Sequence, residues 1–497
     1  MIMKNKVFGI LCCSFLLSAS LYAQEPLSSE LSKQVEQIAA TIKDNPSAAA
    51  EGFDELVKGK NKKNVSLLVA IGNAYLENEK IAEAKDYAER AMKVDSKSAV
   101  TCMFAGDVAL AEKNVGTACG YYEQAILFDE DSFEAYYKYA RAYIGVNPQL
   151  SVDKLMELKS KHPEEINVDR ELAVAYYQMG KNSLAKQSYD EFMQRGTPEK
   201  SDYGRYAMLL YLNKDYAKSL EMTEKGVSMD PESHLLRRLK MYNLYELKSY
   251  DEGLKAADVF FQDPENPDYV YLDYLYRARL YFLHGDQDLA IAEFNKALEA
   301  DKDKEHPDIA KEASQAYEKW QNYPEAIRMY QLYLGGLKGG EENVSDLFLF
   351  GRLYYMAAGS LVAPADSTAA GNAAVAAVDT IQKKAYLVEA DTIFAQVSER
   401  VPDNYLGYFW RARTNAMLDP ETTQGLAKPY YEKALSVLEQ NPNASKSLLI
   451  ECQSYLAYYY IQVKDFEQSK IYWNKNLAID PENATAKQAL EWIETLQ

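Results

Sequence analysis

The chain has 497 residues, with 55 Lys+Arg against 74 Asp+Glu and a net charge of -19. At 47% apolar residues it has enough to bury to offset its ordering entropy, which excludes disorder. Its acidity argues against phosphate binding, so no nucleic-acid partner is expected. Beyond the first 23 residues no apolar run reaches the roughly 20 residues of a membrane span, which excludes a multi-span protein.

Residues 1–23 read as a secretory signal peptide. Lys4 and Lys6 supply the positive start, Val7 to Leu17 the apolar stretch, and Leu21-Tyr22-Ala23 a small residue before a cut at Gln24. The stretch is too short for a membrane anchor. Leu11 precedes Cys12, where lipid attachment needs a small residue, so lipidation is not expected. The remaining cysteines, Cys102, Cys119 and Cys452, are too few for a disulfide framework. An exported chain of that kind suits a bacterial periplasm. Asn64, Asn343, Asn443 and Asn483 each begin an N-x-S/T triplet, but each stands where a helix should start, so capping explains them better than glycosylation.

Residues 24–64 hold two short helical stretches, an N-terminal cap or degenerate repeat. A repeat then begins. A small residue opens the pattern A-x-x-x-aromatic-x-x-A at Ala84, Ala118, Val152, Ala185, Ser219 and Gly253, in steps of 33 or 34. It continues at Ala290, Ala326, Ala390, Ala427 and Ser469. Twelve residues before each lies another small or modest residue, among them Gly72, Gly106, Ala140, Ala207 and Ala457. Such a period describes a helical hairpin whose small residues face each other and let two helices approach closely. Polar breaks, such as Glu77 to Lys80, Met179 to Asn182 and His284 to Gln287, make the turn inside a unit. Pro231, Pro402 and Pro481 stop the second helices.

Residues 359–384 interrupt one hairpin. They are Ala-rich and without aromatics, and are expected to form a solvated loop or a partner-contacting one. The array resumes over 385–483. Residues 484–497 then place Ala486, Ala489, Leu490, Ile493 and Leu496 on one side of a C-terminal capping helix.

Units starting at Val65, Ala99 and Tyr271 carry the positions that identify a known family. Gly72, Tyr75, Ala84 and Ala91 stand in register, then Gly106, Ala118, Tyr122 and Ala125, then Ala278, Tyr281, Ala290, Phe294 and Ala297. The chain resembles the tetratricopeptide repeat family, with about eleven units between Val65 and Asn483. The resemblance implies an all-α superhelical solenoid, with the array at 65–358 and 385–483. It also implies that the first helix of each unit lines a concave face. Its ligand-facing places fall here on Tyr137, Arg141 and Ile144, then Arg170 and Tyr177, then Met208 and Tyr211, then Arg238, Tyr242 and Tyr245. They continue with Leu275, Arg279 and Phe282, then Phe348, Arg352 and Tyr355, then Phe409 and Arg413. Two readings of this Arg/aromatic series stay open. It is a groove for a partner segment with acidic groups, or each Arg pairs with an acid of the neighbouring unit. The Lys and Asn that clamp a C-terminal carboxylate elsewhere in the family are missing: only Asn73 matches, and Val69 stands where Lys is wanted.

The sequence offers no catalytic constellation. His162, His234, His284 and His306 are not at metal-ligand spacing. No phosphate loop, nucleophile elbow or dinucleotide fingerprint is present. Cys102 and Cys119 fall near the starts of two antiparallel helices, an offset of roughly 10 Å at about 1.5 Å per residue. A disulfide needs Cα atoms within about 7 Å, so buried free thiols are expected. The expectation is a non-enzymatic, cofactor-free scaffold of the bacterial cell envelope that binds other proteins. The alternative is a secreted glycan or solute receptor built on the same helices.

Overall fold

The computed structural model describes residues 27–262, 268–338, 343–361 and 370–495, with the backbone alone over 370–378. Residues 1–23, read as a signal peptide, and Leu496 lie outside the described residues. Among the described residues the secondary structure is all-helical, and the chain divides into two compact units, Met1–Ser249 and Tyr250–Gln497.

In the first unit the helices are α1 (Ser29–Ala39), α2 (Pro46–Leu56), α3 (Val65–Glu77), α4 (Ile81–Val94), α5 (Ala99–Ala111), α6 (Val115–Phe128) and α7 (Phe133–Tyr143). They continue with α8 (Pro148–Lys161), α9 (Asn167–Gln178), α10 (Asn182–Arg195), α11 (Lys200–Leu212), α12 (Tyr216–Met229) and α13 (His234–Glu246). The second unit holds α14 (Tyr250–Phe260), α15 (Tyr271–His284), α16 (Gln287–Ala300), α17 (Asp308–Lys319), α18 (Tyr323–Gly336) and α19 (Val344–Ser360). After these come α20 (Ala370–Arg400), α21 (Tyr405–Leu418), α22 (Lys428–Leu438), α23 (Lys446–Gln462), α24 (Phe466–Ile479) and α25 (Ala484–Glu494). In the first unit α3 to α12 pack in chain order as five pairs, and in the second α15 to α24 pack as another five, the helical hairpins that the period implies.

The facing small residues meet as the period requires. Ala84, Ala118, Ala185, Ala290, Ala326 and Ala390 are fully buried. Where Ser replaces Ala, its hydroxyl donates across the hairpin to the carbonyl of the facing residue. Ser219 bonds Ala207 at 2.8 Å, Ser314 bonds Ala326 at 2.7 Å and Ser469 bonds Ala457 at 2.9 Å. A buried hydroxyl thus finds an acceptor without widening the contact. The turn inside eight of the hairpins holds a left-handed residue two places before the second helix. Glu79, Lys113, Lys214, Lys248, Gln321 and Lys464 have φ of 58 to 63°, and Gly180 and Gly285 fill the same slot with glycine. That conformation is one which side chains other than Gly adopt at a cost.

Asn64, Asn343 and Asn483 cap α3, α19 and α25, each accepting from a backbone N–H three residues on. Asn443 does not; the cap position of α23 is Ser445. The insertion also departs from the expected loop. From Ala370 the chain is helical and runs without a break into α20, so 370–384 extend the second helix of that hairpin. Alanine has the highest helix propensity, and this run needs no packed face to stay helical at the end of a longer helix. In α25, Ala486 and Ile493 are buried in a cluster with Ala457 and Trp473, and Ala489 and Leu490 pack against that cluster.

Two glycines show how closely the helices approach. A Cβ on Gly407 of α21 would stand 2.6 Å from the backbone N of Ser398 and 2.8 Å from its Cα, both in α20. Backbone cannot swing away as a side chain can. Gly407→Ala is therefore expected to cost about 1–3 kcal/mol, read as a lower urea midpoint. A Cβ on Gly120 of α6 meets nothing within 4 Å. Gly120→Ala should raise stability by about 0.5–1 kcal/mol, the ordinary gain of Ala over Gly inside a helix. Equal shifts of one sign would mean that helix packing does not dictate Gly407.

Candidate functional site

The first helices of the hairpins carry the predicted series. In the first unit they touch one another, α3 with α5, α5 with α7, α7 with α9 and α11 with α13. Side chains at matching places on successive repeats therefore lie within reach. Charged partners one repeat apart use this geometry.

Four of the predicted arginines face carboxylates of adjacent repeats. Arg279 of α15 makes two parallel hydrogen bonds to Glu312 of α17, at 2.7 and 2.6 Å. Arg413 of α21 does the same to Glu451 of α23, both at 2.7 Å. Arg352 of α19 reaches back to Glu318 of α17 at 2.8 Å. Arg170 of α9 stands 3.6 Å from Asp202 of α11 and 3.6 Å from Glu171 beside it. Arg238 is buried. Arg141 is exposed and donates to the hydroxyl of Tyr137, one turn earlier in α7, at 2.6 Å.

The aromatic members divide. Tyr177, Tyr242 and Phe409 are buried in the core, whereas Tyr137, Phe282 and Tyr355 are half-buried. Phe282 packs edge-on against Trp320 at 5.3 Å, and Tyr355 against Trp410 at 5.2 Å. Arg141 and Arg413 lie over the Tyr137 and Phe409 rings. Arg170 instead lies over Phe192 of α10, and Arg279 over Tyr276.

The sequence reading did not single out the acids. Asp202, Asp273 and Asp346 each occupy the third place of a first helix and are buried. Asp202 accepts from the backbone N–H of Glu199 at 2.8 Å and from Tyr189 at 2.6 Å. Asp346 accepts from Lys311 of α17 at 2.8 Å, Tyr333 at 3.2 Å and the backbone N–H of Asn343 at 3.4 Å. One carboxylate thus caps its own helix, ties down the preceding second helix and pairs with the preceding first helix. The available signal was an opposite charge about one period away: the Arg279–Glu312 and Arg352–Glu318 pairs are 33 and 34 residues apart.

The titratable groups follow their surroundings. Burial raises the Glu171 carboxyl, against the pull of Arg170, Arg141 and Arg205. Burial also pushes the Cys119 thiol up to about 11 and Cys452 to about 12, so these thiols are protonated and unreactive at neutral pH. Cys102, Cys119 and Cys452 are free and buried. His162 is held above its usual range by Asp131 at 3.0 Å and Glu164 at 3.3 Å. Among the described residues no group of His, Cys, Asp and Glu is arranged to hold a metal ion. None of the described helices is long and apolar enough to cross a membrane.

Comparison with known proteins places the repeat. The tetratricopeptide repeat family profile matches residues 65–98, which include α3 and α4, and residues 274–304, which include most of α15 and all of α16. The C-terminal part of a repeat-containing protein of this kind from Cytophaga hutchinsonii is 28% identical. The match covers 58% of this chain and 99% of that one, at a TM-score of 0.44. A tetratricopeptide repeat protein from Parabacteroides merdae is 13% identical over 58% of this chain and 99% of its own, at 0.29. YrrB, described as having an unusual peptide-binding site, is 15% identical over 37% and 95%, at 0.30. No curated protein matches the chain.

Proposed function

This chain is built of tetratricopeptide repeats, and we propose that it is a non-enzymatic scaffold of the bacterial cell envelope, exported by residues 1–23. It binds other proteins along the first-helix faces of its repeats. The observation that carries this reading is the half-exposed aromatic set Tyr137, Phe282 and Tyr355, repeated on the first helices. Aromatic rings offer large contact area at low entropic cost, and a soluble chain gains nothing by wetting them without a partner. The Arg141 guanidinium beside Tyr137, bonded to its hydroxyl, favours an extended segment with acidic groups.

The test is cross-linking of the tagged, exported chain in cells, with mass spectrometry of what is captured. The native chain should capture a defined envelope protein, and Tyr137→Ala with Phe282→Ala should lose it while the helical circular dichroism is kept. Sequencing of the exported chain should begin at Gln24. Retention of the tag in the cytoplasm, or the same capture by native and variant chains, would overturn the reading.

A further inference from the structure

Helix α20 is much longer than its hairpin partner, with 31 residues against 17 in α19. Gly351 of α19 faces the Phe394 ring, so the end of α19 at Ser360 falls beside about Ala385 of α20. From Ala370 to Lys384 the helix runs on past α19.

The face that α20 turns to its own repeat holds Leu387, Ala390, Phe394 and Val397, all buried. The opposite face is apolar as well. Ile381 is 72% exposed and Val388 48%, and Ala385 and Thr392 are exposed on the same face. The Thr392 hydroxyl donates to the Val388 carbonyl at 2.9 Å, so its hydrogen bond is met within the helix. Ile381, Ala385, Val388 and Thr392 stand at steps of four, three and four residues. Ala395 continues them, and in the sequence Ala374 and Val378 precede them at the same steps. Alternating steps of three and four make the heptad seam of a coiled coil, here about 30 Å long. A helix with two opposite apolar faces has more to bury than its own repeat covers.

The charges beside the seam identify what covers it. Lys384 and Glu389 flank it on opposite sides and are exposed. At that spacing, two parallel helices in register bring the cation of one against the anion of the other, once on each side of the seam. An antiparallel pair would set Lys384 against Asp391 instead. Asp391 is already held by Arg411 of α21, through two hydrogen bonds of 3.0 Å, and by Asn415 at 2.7 Å.

We propose that α20 joins two copies of this chain as a parallel two-stranded coiled coil. Ile381, Ala385, Val388 and Thr392 form the seam, and Lys384 pairs with the partner's Glu389. The small Ala385 lets the two backbones approach, and each helix is already ordered by its own hairpin, so pairing costs little further entropy. The contact is small, so the dimer is weak, with a Kd on the order of 10 μM. This surface lies on a second helix and is separate from the first-helix faces assigned to other proteins.

Sedimentation equilibrium of the purified full chain, from about 1 to 200 μM, tests this. The native chain should pass from monomer to dimer over that range. Ile381→Glu with Val388→Glu should stay monomeric throughout and keep its helical circular dichroism, because both side chains are exposed. Lys384→Glu should weaken the dimer by about tenfold, since two attractive pairs become repulsive. Glu389→Lys should do the same. An equal mixture of these two variants should recover the native affinity, because each chain then meets the opposite charge on the other. A native chain monomeric at every concentration, an assembly larger than a dimer, or a dimer that survives the Ile381/Val388 change would overturn the coiled coil. A mixture no tighter than the single variants would overturn it too, since only parallel pairing predicts the recovery. If the Ile381/Val388 variant lost its helical signal, the charge variants and their mixture would decide.

Discussion

Asp346→Ala is expected to destabilise the second unit by about 3 kcal/mol, the scale of removing one partner from a buried, hydrogen-bonded charge pair. The carboxylate is buried, and three kinds of donor point at it: Lys311, the Tyr330 and Tyr333 hydroxyls, and the Asn343 N–H. Alanine would leave the ammonium and both hydroxyls facing a void and would remove the half of the α19 capping box that accepts from the Asn343 N–H. Lys311 is 25% exposed and can turn to water, which keeps the loss from being larger. Urea unfolding at pH 7 reads the effect directly.

The pH dependence gives a second check on the same residue. Burial alone would raise the Asp346 carboxyl, but Lys311, the Asn343 N–H and Tyr333 outweigh it and hold it below its usual 3.8. A carboxyl depressed in the folded state contributes stability that is present above its unfolded pKa of about 4 and is lost as pH falls through the folded value. The gap between native chain and Asp346→Ala should therefore be widest above about pH 5 and narrow below pH 4. A gap that stays constant from pH 7 to 3 would mean that Asp346 acts through shape alone.

The same residue shows what a sequence can and cannot disclose. The hairpins were legible because their signal is a period. Ala84, Ala118 and Ala185 recur in register, and the contact they make lies within one hairpin, 12 residues from its partner. Ser219 and Ser469 fit the register too, since their hydroxyls find the facing carbonyls. The fate of the arginines was not legible. Whether Arg279 meets Glu312 or a partner's carboxylate depends on how two repeats are rotated, which one repeat's pattern does not encode. The buried aspartates were missed because an Asp near a helix start reads as an exposed cap residue. Only the packed neighbours of Asp202 and Asp346 bury them. The helix from Ala370 was missed because periodicity searches for a buried stripe, and alanine needs none.

Phe394→Ala is expected to cost the second unit about 3–5 kcal/mol, the range for removing a buried aromatic from a packed core. Phe394 of α20 is fully buried, and its ring lies 6.0 Å from Phe348 and 5.6 Å from Trp410 between centroids. It also fills the space left by Gly351 of α19. A Cβ there would stand 2.8 Å from its ring. Glycine and ring are one complementary pair, and the sequence places them at the small and aromatic positions of a single hairpin. Phe348 and Trp410 sit on two other helices and already pack edge-on against each other at 5.6 Å, so Phe394 completes a three-ring cluster. Gly351→Ala alone should destabilise by overpacking. Combined with Phe394→Leu it should cost less than the two changes separately, since the smaller side chain makes room for the added methyl. Urea midpoints of the two single variants and the double variant measure that coupling. Additive losses would show that Gly351 is not there to admit Phe394, and that the closeness of α19 and α20 has another cause.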